Sequence, residues 1–208
     1  MSSIAIYIEG GGDSEAGKAA LRQGFDALLA EQKNAARVRH MRWKTVLCGG
    51  RGATFDAFLN ATTKCTSDIV VLLVDAEGAV AKSTPAGRVE HLANRDNWTF
   101  NGLNAERVHL MTQCMEAWLV ADPKTLAEFY GKDFREKALP KRTVLDGEPK
   151  TSVYNALEAA TKDTQKGGYG KIKHASELLK RLQTNTLATR CTSFKHFIDH
   201  LNSSIASA

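Results

Sequence analysis

Five acidic residues fall at or just beyond the ends of short apolar, β-branched runs. Glu9 follows residues 4–8, Asp75 and Glu77 follow residues 69–74, Asp13 lies shortly after Glu9, and Glu116 lies shortly after residues 107–111. Carboxylates gathered at one edge repel one another unless a hard cation joins them. Mg²⁺ or Mn²⁺ takes oxygen ligands and keeps waters for substrate phosphates. Glu9, Asp75 and Glu77 are therefore candidate metal ligands, with Asp13 and Glu116 completing a second site. Two such ions flanking a phosphodiester activate a water and stabilise the leaving oxygen. Glycines at 10, 11, 12, 49, 50 and 52 let backbone approach phosphate without a Cβ in the way.

The basic residues are unevenly distributed. The chain has 28 Lys and Arg against 23 Asp and Glu, a formal charge of +5. Eight of the bases and only three of the acids lie between 162 and 200, which leaves residues 1–161 neutral. Lys171, Lys173, His174, Lys180 and Arg181 follow a glycine-rich joint and are candidate phosphate-gripping residues, a sequence-blind and salt-sensitive mode of nucleic-acid binding. Lys173 is further expected to stabilise the charge of a pentacovalent phosphorus. Arg51 joins the set because it sits in a glycine-rich turn at a strand end, where functional residues concentrate. A competing motif runs from Gly12 to Ala19 and matches GxxxxGK, but Ala19 stands where a nucleotide-binding P-loop needs Ser or Thr. Asp13 and Glu15 would also place negative charge inside an anion cradle.

The elements that must position these groups follow from hydrophobic patterning. Residues 4–8, 43–47, 69–74 and 107–111 read as strands, with helix-like stretches such as 14–32 and 53–63 between them. Strand alternating with helix implies right-handed crossovers and a parallel sheet covered on both faces. Ligands of such sheets bind beyond the carboxyl ends of the strands, where the acids lie. After residue 111 the spacing is helical, over 113–131, 151–162, 174–183 and 190–205, with a loop at 132–150. The expected organisation is an α/β domain over 1–122 and a helical extension over 123–208, packing on it or beside it. Trp118, Leu119, Phe194, Phe197, Ile198 and Leu201 are expected in the core, and Trp43 and Trp98 are read as packing rather than base-stacking residues. At 208 residues with 43% hydrophobic content the chain can bury a core without staples. No apolar run reaches membrane-spanning length, and residues 1–4 carry no signal-peptide pattern, so a cytoplasmic protein is expected. Cys48, Cys65, Cys114 and Cys191 show no ligand spacing and are read as buried free thiols.

The segment Ile8-Glu9-Gly10 with Asp13, followed by Val74-Asp75-Ala76-Glu77-Gly78, resembles the Toprim domain over about residues 1–120. Longer strings, including Cys48-Gly49-Gly50-Arg51-Gly52, the run from His109 to Trp118 and Lys171-Ile172-Lys173-His174, are similar to a bacterial family of Toprim-like proteins often encoded beside AAA-type or ABC-type ATPases. The resemblance implies a Rossmann-like sheet and Mg²⁺-dependent phosphodiester chemistry, as in topoisomerases, primases and OLD-type nucleases. It makes Glu9 a metal ligand or general acid/base, and Asp75 and Glu77 a metal-binding pair. Glu77 stands where many Toprim domains have Asp. No tyrosine motif aligns with a topoisomerase nucleophile, which favours hydrolysis over strand passage. The expectation is a metal-dependent nuclease acting on DNA or RNA, an antiphage-defence or toxin-like effector working with an ATPase partner. The alternatives are a non-catalytic regulatory subunit of an ATPase complex and a P-loop nucleotide-binding protein.

Overall fold

The computed structural model describes residues 2–64 and 69–208. Among these residues four strands, β1 (Ser3–Ile8), β2 (Arg42–Leu47), β3 (Ile69–Asp75) and β4 (Val108–Met111), form one sheet in the order β2-β1-β3-β4, with each neighbouring pair parallel. The fold is α/β and Rossmann-like. The strand order reverses between β1 and β3, so the crevice beyond their carboxyl ends is the topological switch point.

Side chains alternate strictly between two cores. On β3, Val71 and Leu73 enter one, while Val70, Leu72 and Val74 enter the other. The second, smaller core is closed by α3 (Arg51–Lys64) and α4 (Pro85–Asp96) through Phe55, Phe58 and Leu92. Helix α4 begins at a proline and is capped by Thr84, whose Oγ1 accepts from Gly87 N at 3.2 Å. The larger core is covered first by α1 (Glu15–Leu28) and α2 (Ala30–Val38).

Every later helix joins that same larger core. These are α5 (Glu116–Ala121), α6 (Pro123–Tyr130), α7 (Lys150–Thr161), α8 (Lys171–Leu179), α9 (Thr184–Arg190) and α10 (Thr192–Ala206). The apolar cluster runs without a break from Ile4 on β1 to Ile205 on α10, and Trp118 lies fully buried in it between Phe25 and Phe194. The segment beyond 122 thus shares its core with the sheet. Burying large aromatic and aliphatic side chains from both halves contributes about 1.5–3 kcal/mol each, which binds the two halves together. Trp118, Leu119, Phe194, Phe197 and Leu201 are core residues as expected, with Ile198 half-buried against them.

Several boundaries differ from the sequence reading. The 14–32 stretch breaks at Leu29 into α1 and α2. The stretch 190–205 divides at Cys191, whose extended backbone separates α9 from α10. Helix α8 starts at Lys171, three residues earlier than the spacing suggests, and this moves Lys171 from the joint onto the first turn of a helix. Cys114 and Cys191 are buried free thiols, whereas Cys48 is only half-buried and Cys65 lies outside the described residues. Among the described residues no helix is long and apolar enough to cross a membrane.

Candidate functional site

The glycine-rich turns after β1 and β2 build one wall of the switch-point crevice. Gly10 N donates to Gly49 O at 3.0 Å, closing the two turns on each other. Gly11 sits at φ +88°, and a Cβ there would lie 2.8 Å from Lys18 Cα on α1, so backbone conformation and close packing both demand glycine. The first turn of α8 forms the opposite wall. Between them lies a cleft of about 410 Å³, bordered by Glu9, the three glycines, Leu21 and Lys171.

Glu9 is fixed from two sides. Its Oε2 accepts from Arg51 Nη1 at 2.9 Å and from Asp75 N at 3.2 Å. Arg51, which opens α3, also donates to the Asp75 carbonyl and grips Asp96 with two bonds of 3.0 and 2.7 Å. Its guanidinium lies 5.0 Å from the centre of the Trp98 ring, which itself stacks on Phe55 at 4.1 Å. Arg51 therefore organises the acids from a half-buried position, with four of its five N–H donors engaged by protein oxygens. Trp98 packs as expected. Trp43 donates from Nε1 to Thr45 Oγ1 at 3.0 Å, away from this cleft.

Asp75 ends β3 and is almost wholly buried. Its Oδ1 accepts from Met115 N at 2.8 Å, and its Oδ2 lies 3.8 Å from Lys171 Nζ. Burial pushes its carboxyl up to about 7; Lys171 opposes that rise, and Glu116 and Glu9 add to it. Glu116, at the start of α5, has no exposed surface. Its Oε1 accepts from Tyr169 Oη at 3.1 Å and lies 3.5 Å from Lys171 Nζ. Its Oε2 has no hydrogen-bond partner in standard geometry, although the Tyr154 hydroxyl faces the same carboxylate. Burial alone would lower the Lys171 ammonium, but Glu116 and Asp75 outweigh it and hold the group above its ordinary value.

The remaining predicted residues stand apart from this trio. Glu77 adopts a left-handed backbone at φ +61°, and its Oε1 takes Lys150 Nζ at 2.6 Å, so its charge is engaged by the start of α7. Asp13 is exposed in the turn before α1. Lys173 is exposed and donates to the Lys166 carbonyl at 3.2 Å; the lysine that reaches the acids is Lys171, two residues earlier. Consecutive helical positions 100° apart explain this, since Lys171 and Lys173 lie on different faces of α8. His174 corrects the expectation of a surface phosphate contact. It is 3% exposed among Phe129, Tyr130 and Tyr169, and its Nδ1 accepts from Gly170 N and meets Tyr130 Oη. Lys180 and Arg181 both pair with Glu177, about 13 Å of helix rise beyond Lys171.

The P-loop reading meets a different arrangement. Ser14 caps α1 by accepting from Gly17 N at 3.1 Å, and Lys18 pairs with Glu15 at 2.6 Å. The amide and the ammonium that would hold a phosphate are both occupied within the helix's own first turn.

Asp96, Lys150, Tyr154 and Tyr169 escaped the sequence reading. Only Tyr169 carried a local signal, its place inside the glycine-rich joint before Lys171. The others meet the acids through tertiary packing alone. Among the described residues no three His, Cys, Asp or Glu side chains already stand in a metal-holding arrangement. The donor set nevertheless suits a hard cation. Asp75 and Glu116 share one positive charge, the Lys171 ammonium, at separations longer than tight hydrogen bonds, and a buried Glu116 oxygen is left over.

No curated protein and no solved structure matches the chain. Residues 8–202, which include every acid and base of this site, match the family described as a domain of unknown function (DUF4276), and the chain belongs to that family.

Proposed function

We propose that the protein is a Mg²⁺- or Mn²⁺-dependent nuclease hydrolysing phosphodiester bonds of DNA or RNA. The observation that carries this reading is the convergence of Glu9, Asp75 and Glu116 at the β1/β3 switch point, with the Lys171 ammonium lodged between two of them. Asp75 and Glu116 are the residues that would hold the ion, with Glu9 beside them. When bound, a divalent ion supplies Lewis-acid stabilisation of the attacked phosphate and lowers the pKa of water. The chain's own residues do the rest. Arg51 and the Asp75 amide keep Glu9 oriented toward the cleft, the glycine turns admit a phosphate backbone, and Lys171 neutralises charge developing on the non-bridging oxygens. In hydrolysis, water oxygen bonds to phosphorus, the P–O bond to the leaving sugar breaks, and the leaving oxygen takes up a proton.

Work with an ATPase partner, in antiphage defence or as a toxin-like effector, belongs to the same proposal and rests on the Toprim-like resemblance. A second reading has one observation in its favour. Each acid except Asp13 is already matched by a cation, namely Arg51, Lys171 or Lys150, as in a purely structural network serving a non-catalytic ATPase subunit. The test is cleavage of single-stranded and duplex DNA and of tRNA with Mn²⁺, with and without the genomic-neighbour ATPase. The nuclease reading expects cleavage that Glu9→Gln and Asp75→Asn each abolish. Unchanged cleavage in both variants, or none under any of these conditions, overturns it.

A further inference from the structure

Beyond the outer strand β4, two adjoining cavities of about 270 and 770 Å³ share Ser83, Arg88 and His196. Arg88 lies on α4 and is only 6% exposed. Its Nε donates to Val108 O at 2.6 Å and its Nη1 to Ser83 O at 2.8 Å. Both partners are neutral carbonyls; among the described residues no carboxylate pairs with this guanidinium, and Glu106 acts on it only from a distance. A charge so deeply buried ordinarily has a counter-charge.

The surroundings of Arg88 are short of partners too. His109 on β4 is 1% exposed; the Glu106 carbonyl faces one of its ring nitrogens, and among the described residues the other has no hydrogen-bond partner. His200 Nε2 and Ser193 Oγ, both on α10, are likewise buried and unpartnered. His109, His196 and His200 line the larger cavity together with Arg88, and Ser193 lines the smaller. Three acids also line these cavities, Asp146 the smaller and Glu106 and Asp199 the larger, and none of them pairs with Arg88. Asp146 is occupied by the Thr192 and Ser193 amides at 2.6 and 2.9 Å, Asp199 pairs with Lys195 at 2.5 Å, and Glu106 is exposed.

We infer that this cavity pair is a binding site for a phosphate group, distinct from the carboxylate cleft at the β1/β3 crevice. A phosphate oxygen would give Arg88 its missing counter-charge through a charge-assisted bond. A ring N–H of His196 or of His200 and the Ser193 hydroxyl supply further donors. A metal ion on the three imidazoles would instead sit beside a guanidinium with no counter-ion of its own, which opposes it. The phosphate can come from free inorganic phosphate or from a nucleic-acid terminus.

Calorimetric titration of the full chain in EDTA tests this, using inorganic phosphate and a 5′-phosphorylated thymidine dinucleotide. The expected result is one saturable site whose affinity falls at least tenfold in Arg88→Gln and in His196→Ala, and is retained in Lys171→Met. Arg88 also ties two carbonyls, so His196→Ala decides the matter if Arg88→Gln does not fold. Tighter binding of the dinucleotide identifies a nucleic-acid terminus as the source, and equal or weaker binding identifies free phosphate. Absence of binding by the wild type, unchanged affinity in His196→Ala, or loss of binding in Lys171→Met overturns the assignment. So does Zn²⁺ titrating onto the histidines, in a parallel titration without EDTA, while phosphate does not bind. The outcome is independent of cleavage, so the nuclease reading can fail while this site stands.

Discussion

Replacing Asp75 by Asn should stabilise the protein at alkaline pH while destroying the proposed activity. Asp75 holds its proton up to about 7 when folded, against an ordinary value of 3.8. Between those values the native state binds more protons than the unfolded chain, so stability falls as pH rises through this window. At about 1.36 kcal/mol per pH unit, the full penalty above pH 7 is about 4 kcal/mol. An amide oxygen can still accept from Met115 N, and Glu116 remains to offset Lys171, so little is lost in exchange. The rise to about 7 already includes the Asp75–Lys171 attraction, so a net gain of about 3–4 kcal/mol is expected at pH 8 and about 1 kcal/mol at pH 4.5. Urea unfolding of both proteins at the two pH values, in EDTA, reads this directly. Replacing the EDTA by Mn²⁺ should then stabilise wild type more than the variant, because only wild type retains the charged ligand. An Asn variant that is no more stable than wild type at pH 8, or equally favoured at both pH values, refutes the reasoning.

Arg51→Lys should destabilise the fold by about 2–3 kcal/mol, because a point charge cannot span Glu9, the Asp75 carbonyl and both Asp96 oxygens; thermal melts check it, and a loss below half a kcal/mol contradicts it. Gly11→Ala should cost about 1–3 kcal/mol from its left-handed backbone and its approach to Lys18, seen as a melting point lower by roughly 2–10 °C. Glu116→Gln keeps an oxygen for Tyr169 but removes a buried charge, so Mn²⁺ affinity measured by calorimetry should fall at least tenfold with no loss of stability.

What could be read in the residues was whatever local pattern encodes. Residues 69–74 are apolar at every position because β3 is covered on both faces, and strand ends delivered Glu9 and Asp75 to one edge through parallel topology alone. Glu116 was reachable the same way, as the first polar residue of the helix after β4. The cations were harder. Choosing Lys171 over Lys173 requires the phase of α8, and the phase is set where the helix starts, at a glycine with no side-chain cap to announce it. Lys150 and Asp96 are separated from their partners by 73 and 45 residues, distances over which no periodicity carries information.

The basic excess of the last quarter also divides according to the burial of the partners rather than sequence position. Lys180 and Arg181, just past the end of α8, pair with Glu177 on it, and Lys195 pairs with Asp199 on α10; such exposed pairs contribute about 0.3–0.5 kcal/mol and fade with salt. Arg190 is bound to four carbonyl oxygens at Val120, Ala121, Pro140 and Arg142, which ties α9 to the end of α5. The Lys171 side chain is itself 43% exposed, and it differs from these in its partners, Asp75 and Glu116, which have almost no exposed surface. A helix from the basic segment thus brings one cation to a crevice whose acids come from the neutral part of the chain. Salt should therefore weaken any nucleic-acid grip by lysines whose partners are exposed more than it weakens the contacts of Lys171 with two buried carboxylates. Substrate affinity that falls steeply between 50 and 200 mM salt, with turnover of bound substrate nearly constant, is the expected pattern. A parallel collapse of turnover would instead place the working cations at the surface.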